Sequence, residues 1–156
     1  MTLSVGDTVP AFRLPASGGA TIGSADLAGT PYVLFFYPKD DTSGCTKEAV
    51  AFTAALPEFE AAGVRVLGCS KDSVAKHDRF VEKHGLGMAL LSDAEGTTCE
   101  DFGVWKEKQM YGKTYMGIER TTYLIDAEGR VAQVWARVKV PGHVDAVLDQ
   151  VRTLGA

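Results

Sequence analysis

Residues 32–48 read YVLFFYPKDDTSGCTKE, and the fold follows from how this stretch changes character twice. Tyr32 to Tyr37 is a continuous aromatic and β-branched run, the pattern of a strand buried on both faces. Pro38 ends it, and a polar turn follows. Cys45 then opens a segment in which Ala49, Phe52, Leu56 and Phe59 recur at steps of three and four, which predicts a helix to about Ala62. Pro57 is expected to bend or divide that helix. A thiol in the first helical turn sits beside unpaired backbone N–H groups and the positive end of the helix dipole, both of which favour thiolate over thiol. Thr42, three residues earlier, is placed to cap the same turn. The stretch therefore predicts a reactive cysteine at a strand–loop–helix junction. The bland alternative, an inert core thiol, fits poorly with a position after a polar turn.

Working outward, residues 1–31 carry Gly6, Pro10, Pro15, Gly18, Gly19 and Gly23 between short apolar patches, which predicts a hairpin at a sheet edge. After Gly63, Val64 to Cys69 reads as a second buried strand. Asp72 or Ser73 caps a helix running to about His84, with Val74, Phe80 and Val81 inward. Its His77 and His84, seven apart, fall near the surface pattern and read as structural. Met88 to Leu91 is a short strand, a short helix follows near Thr97 to Phe102, and residues to Lys113 read as a polar loop. In that loop Trp105 and Tyr111 are candidates for a pocket rim, with core packing or plain exposure as the alternatives. Arg120 to Ile125 and Val131 to Val138 form a hairpin around Asp126-Ala127-Glu128-Gly129. Val144, Val147, Leu148, Val151 and Leu154 make an amphipathic last helix starting near Pro141-Gly142. This order predicts an α/β chain with a central mixed sheet flanked by helices, a thioredoxin-like fold with an N-terminal β extension. No linker, repeat or low-complexity tract appears, so 1–156 is read as one domain.

At 156 residues, with 46% hydrophobic and 23% charged residues, the composition is that of an ordinary globular domain. A net charge of −4 and a pI near 5.3 disfavour nucleic acid. No apolar run is long enough to span a bilayer, and the N-terminus lacks the basic and apolar regions of a signal peptide, so a cytoplasmic protein is expected. Cys45, Cys69 and Cys99 are odd in number and widely spaced, with no CxxC pair and only three histidines. A secreted disulfide framework and a zinc site are both disfavoured.

Pro38, Thr42 and Cys45 stand as Pro-x-x-x-Thr-x-x-Cys directly after a hydrophobic strand, and this resembles the peroxiredoxin signature. FYPKDDTSGCTKEA resembles the bacterioferritin comigratory protein or peroxiredoxin Q branch. The likeness continues through VGDTVPAFRLP, VRVLGCSKDS, LLSDAEG and GIERTTYLIDAEG, and so covers nearly the whole chain. The resemblance implies a thiol-dependent peroxidase that reduces hydrogen peroxide and organic hydroperoxides without metal, haem or flavin. It further implies roles: Cys45 as the peroxidatic cysteine that becomes sulfenic acid, and Thr42 as the hydroxyl bonding thiolate and peroxide. Arg120 would lower the thiol pKa and stabilise charge on the separating oxygens, Pro38 would shield the pocket, and Glu48 would hold the arginine. These roles also make sense chemically, because O–O cleavage needs a thiolate, a nearby cation and donors aimed at a developing negative oxygen. By spacing alone Arg120 would be a surface residue at a strand start, and Glu48 a partner of the helix dipole.

The sequence departs from the family at the second half of the cycle. A resolving cysteine often stands five residues after the peroxidatic one, where this chain has Val50, or on the following helix, around Phe80-Val81, where none is present. Ser43 replaces the proline often seen before the Gly-Cys pair. The reading that follows is a one-cysteine cycle, with the sulfenic acid reduced by a glutathione-type thiol or by thioredoxin. The alternatives are an atypical two-cysteine cycle with Cys99 as resolving cysteine, or Cys69, and a redox-sensing interaction protein. Cys69 ends a buried strand, whereas Cys99 is expected to be the more exposed of the two. A monomer, or at most a weak dimer, is expected.

Overall fold

The computed structural model describes residues 2–154. The elements run β1 (Arg13–Pro15), β2 (Thr21–Gly23), α1 (Ser24–Leu27), β3 (Tyr32–Phe36), α2 (Ser43–Ala61) and β4 (Arg65–Ser70). They continue with α3 (Val74–His84), β5 (Ala89–Ser92), α4 (Thr98–Asp101), β6 (Trp105–Met110), β7 (Lys113–Ile118), β8 (Thr121–Ile125), β9 (Val131–Trp135) and α5 (His143–Leu154). A five-stranded sheet of order β5-β4-β3-β8-β9 forms the centre. β3 lies parallel to β4 and antiparallel to β8, so Phe36 stands between Cys69 and Thr121. This is the α/β architecture with a central mixed sheet and flanking helices that the element order predicts. β1 and β2 pair as a separate hairpin, tied to the edge strand β5 through a bridge from Ala16 to Leu91.

The continuous apolar run of β3 is explained by two cores. Side chains alternate across a strand, so Leu34 and Phe36 face one cluster while Val33, Phe35 and Tyr37 face the other. The first cluster takes in Leu67, Cys69, Cys99, Phe102 and Tyr123. The second takes in Cys45, Phe52, Phe80 and the inward face of α5. Phe52 of α2 stacks on Phe35 with ring centroids 4.6 Å apart, a geometry that contributes roughly 0.5–1.5 kcal/mol beyond the area it buries. That stack seats α2 on the sheet and thereby fixes the height of Cys45 above it.

Three expectations are corrected. α2 runs unbroken for 19 residues through Pro57. Pro57 is exposed, so the carbonyl it leaves without a donor can be hydrated, while Phe52 and Phe59 hold both halves of the helix on one core. The expected polar loop before Lys113 is the antiparallel hairpin β6–β7. Its turn uses Tyr111 (φ 52°) and Gly112 (φ 74°), the paired left-handed residues of a tight hairpin, but tyrosine is an unusual choice for the first. Finally, β9 stops at Trp135 rather than Val138, and Arg137 takes a positive φ of 50°.

Candidate active site

The loop between β3 and α2 is fixed by buried polar contacts. The Tyr37 hydroxyl donates to Asp40 Oδ1 at 2.6 Å, and the Asp40 N–H donates to Asp72 Oδ2 at 2.8 Å. His77 Nδ1 stands 2.6 Å from Asp40 Oδ2, and its Nε2 is 2.9 Å from the Leu91 carbonyl. With an acceptor facing each ring nitrogen, His77 is tied down completely, and it is fully buried. The surface position expected for it is therefore wrong. Helical spacing cannot reveal an acidic partner that arrives from a distant loop. Burial, and next the negative charge of Asp40, pushes the Tyr37 hydroxyl well above its usual pKa, so it remains a donor. On the outer side of the loop, Asp41 (φ 60°) accepts from Lys83 at 2.7 Å and meets His84 at 2.8 Å.

Cys45 is the third residue of α2, in its first turn, and is 1% exposed. Arg120, immediately before β8, donates through Nη2 to Cys45 Sγ at 3.2 Å and through Nη1 to Glu48 Oε1 at 2.8 Å. One planar guanidinium thus bridges the thiol and a fully buried carboxyl one turn further along the same helix. Burial pushes the Glu48 carboxyl up to about 7, against the pull of Arg120 in the other direction. The ion pair is present, yet desolvation outweighs it.

Thr42 occupies the N-cap position, but its hydroxyl makes no cap bond. It donates instead to the Lys39 carbonyl at 2.9 Å, across the loop. Pro38 and Thr42 form one wall of a cleft of about 480 Å³, whose other wall includes Trp105, Met110, Tyr115 and Ile118 of the β6–β7 hairpin. Of the two aromatic candidates for a rim, Trp105 lines this cleft and Tyr111, 97% exposed at the hairpin turn, does not. Chemically the arrangement offers a sulfur nucleophile, a cation touching it, and an adjoining cleft mostly apolar in its walls.

Gly44 is a site residue that residue type alone does not reveal. A Cβ built there would lie 3.1 Å from Arg120 Nη2, so the bare backbone is what admits the guanidinium to the sulfur. Gly44→Ala is therefore expected to slow the reaction of the Cys45 sulfur with an electrophile about 10- to 100-fold by displacing Arg120. The unfolding midpoint should change little, because alanine suits a helix. Stopped-flow rates beside a thermal melt check this, and a wild-type rate would contradict it.

Cys69 and Cys99 are each fully buried in the first core, on the opposite face of the sheet from Cys45. The greater exposure expected for Cys99 is not found. Its N–H donates to the buried Asp93 carboxylate at 2.8 Å, which draws the start of α4 inward. The neighbouring Cys69, together with burial, pushes the Cys99 thiol far above its usual range. Among the described residues no group of side chains is arranged to hold a metal ion, and no helix is long and apolar enough to cross a membrane.

Residues 5–134 match the model of the AhpC/TSA family. A putative peroxiredoxin bcp of Coxiella burnetii is 50% identical over 148 residues, covering 95% of this chain and 98% of that protein. Among solved structures, the Xanthomonas campestris bacterioferritin comigratory protein, studied for its alkyl peroxide reduction activity, superposes with a TM-score of 0.90. It is 44% identical and covers 96% of this chain and 100% of that one. A mutant of Xylella fastidiosa PrxQ superposes with a TM-score of 0.94 at 39% identity, covering 100% of this chain and 99% of that one.

Proposed function

The chain belongs to the AhpC/TSA family as a peroxiredoxin, a thiol-dependent peroxidase, and from that premise we propose that Cys45 is its peroxidatic cysteine in a one-cysteine cycle. The Cys45 thiolate attacks the terminal oxygen of a hydroperoxide, the S–O bond forms as the O–O bond breaks, and the hydroxide or alkoxide that leaves takes a proton from solvent to become water or an alcohol. Arg120, in contact with the sulfur, stabilises the charge moving from sulfur to the departing oxygen. Glu48 holds Arg120 in place, Pro38 limits water at the thiol, and the Thr42 hydroxyl turns from Lys39 to bond the peroxide. The observation that carries this reading is the pair of bonds from one guanidinium to Cys45 and Glu48.

The sulfenic acid is then reduced by an external thiol, of the glutathione type or thioredoxin. Two facts support a single-cysteine cycle: Val50 occupies the position five residues after Cys45, and the other two thiols lie buried across the sheet. We place the protein, as a single monomeric domain, in the cytoplasm, where three free thiols persist. With Cys69 and Cys99 both replaced by Ala, turnover supported by an external thiol is expected to stay within about twofold of wild type. Alanine keeps both positions free of a thiol and of any new polar group in the first core. Coupled peroxide consumption measures it. Loss of turnover with the first oxidation step intact would establish a resolving cysteine instead.

A further inference from the structure

The cleft beside Cys45 is larger and more charged than the attack on a peroxide requires. Hydrogen peroxide is the size of two waters, at about 30 Å³ each, whereas the cleft holds about 480 Å³. Its charged residues are Lys39, Lys71, Asp72 and Lys108. Two of them are committed elsewhere. Lys71 donates to the Gly96 carbonyl at 3.1 Å, pairs with Glu100 at 2.8 Å and Asp93 at 3.3 Å, and lies 5.0 Å over the Trp105 ring. Asp72 pairs with Lys76 at 3.0 Å and accepts from the Ser70 hydroxyl and the Asp40 N–H.

Lys39 and Lys108 are left over. Among the described residues the lysines that hold ion pairs are Lys71, Lys76, Lys83 and Lys106. Lys39 is exposed on the loop beside Pro38, and Lys108 is half-buried on β6. Lys108 stands opposite Tyr115 of β7, and its stem runs over Gly117, where an added Cβ would lie 3.3 Å from Lys108 Cδ. The bare glycine backbone thus seats the stem on the cleft wall. Burial, and next the charge of Arg120, draws the Lys108 ammonium below its usual pKa, while Cys45 pulls the other way. A cation in this place lacks an anion, and a neutral hydroperoxide brings none. Arg120 already serves the charge that moves during the attack. The second half of the cycle is where an anion can enter. The oxidised sulfur stands where Cys45 is 1% exposed. A low-mass thiol can reach it through the cleft, whereas a protein reductant meets Pro38 on one side and the β6–β7 hairpin on the other.

We propose that this cleft is the reductant site, that its occupant is a low-mass thiol carrying a carboxylate, and that Lys108 is the residue that selects it, with Lys39 as a second, more exposed ammonium. The inference rests on the one-cysteine reading above. Trp105, Met110, Tyr115 and Ile118 pack the stem of the thiol, and the ammonium of Lys108 takes its carboxylate. The thiolate sulfur attacks the sulfenic sulfur of Cys45, the S–S bond forms as the S–O bond breaks, and the hydroxide that leaves takes a proton from solvent. A second thiolate then attacks the low-mass sulfur of the mixed disulfide, and Cys45 leaves as the thiolate beside Arg120. Over the cycle one hydroperoxide is reduced and two thiols are oxidised to their disulfide.

The test uses the full, unsubstituted chain as parent. It is oxidised with one equivalent of hydrogen peroxide and then mixed with 3-mercaptopropionate or its neutral amide at equal thiolate concentration. Intact mass after quenching counts the mixed disulfide on Cys45 against time. The quantity compared is the ratio of the two rates, anionic thiol over neutral, so that differences intrinsic to the thiols cancel between variants. In Lys108→Met, which keeps the stem and removes the charge, the ratio is expected to fall about fivefold from the parent. In Lys108→Glu it should fall about 20-fold, and in Lys39→Met about twofold. Added salt should shrink the ratio of the parent. A ratio that does not move in Lys108→Met would overturn the proposal. A charge preference that Lys108→Met abolishes among hydroperoxides, carboxylated against neutral, but not among thiols would give the lysine to the substrate and equally overturn it. Recycling by thioredoxin and by no low-mass thiol would do the same. Loss of two hydrogens in place of the mixed disulfide is a different failure: it would replace the one-cysteine reading itself, and the proposal would fall with it.

Discussion

Peroxide turnover in Cys45→Ser is expected to fall to the uncatalysed background, a loss of about 10⁴-fold or more. A serine hydroxyl fits the space of the thiol and can still accept from Arg120 Nη2, now 3.2 Å from the sulfur. Packing should therefore survive, with an unfolding midpoint near that of the parent. What disappears is the nucleophile. A hydroxyl carries no useful anion near neutral pH, and oxygen attacks a peroxide oxygen far less readily than sulfur. Neither remaining cysteine can take over, because both lie fully buried behind the sheet, and the Cys99 thiol is held protonated. Consumption of hydrogen peroxide, followed beside a thermal melt, separates lost chemistry from lost fold. Appreciable turnover in a folded variant would remove Cys45 from its role.

The second large effect belongs to Arg120. Arg120→Ala is expected to slow the reaction of the thiol with peroxide about 10²- to 10³-fold, the range for removing a donor aimed at developing charge. Two contacts are lost together, Nη2 to Cys45 and Nη1 to Glu48. The fold should nonetheless tolerate the change, since Glu48 already sits near 7 by burial and can take up a proton once its cation is gone. Arg120→Lys should recover only part of the rate, because a single ammonium cannot bridge a sulfur and a carboxyl as a planar fork does. A rate near wild type in Arg120→Ala would show that the guanidinium touches the sulfur without serving it.

Much of this architecture is legible in the sequence because local signals and tertiary structure agree. The run Tyr32–Tyr37 reads as a two-sided strand, and in the structure its alternate side chains feed two cores. The strand–loop–helix junction places Cys45 in a first helical turn by pattern alone. The β6–β7 hairpin is not legible, because it stands away from the core. Most of its side chains are exposed or half-buried, so no apolar alternation marks it, and Tyr111 conceals the turn. His77 escapes for the opposite reason. Its burial depends on Asp40, which a loop brings in from far along the chain. Glu48 is visible as a neighbour of Cys45 on its helix, whereas His143 stands on the last helix. Only the antiparallel pairing of β3 with β8 and the packing of α5 on the same face bring the two together.

The most direct test is intact-mass analysis after one equivalent of hydrogen peroxide in the presence of a sulfenic-acid trap, followed by peptide mapping. The account predicts a single trap adduct on Cys45, with Cys69 and Cys99 both recovered as free thiols. Loss of two hydrogens with a peptide linking Cys45 to Cys99 or Cys69, or an adduct on either buried cysteine, would contradict it.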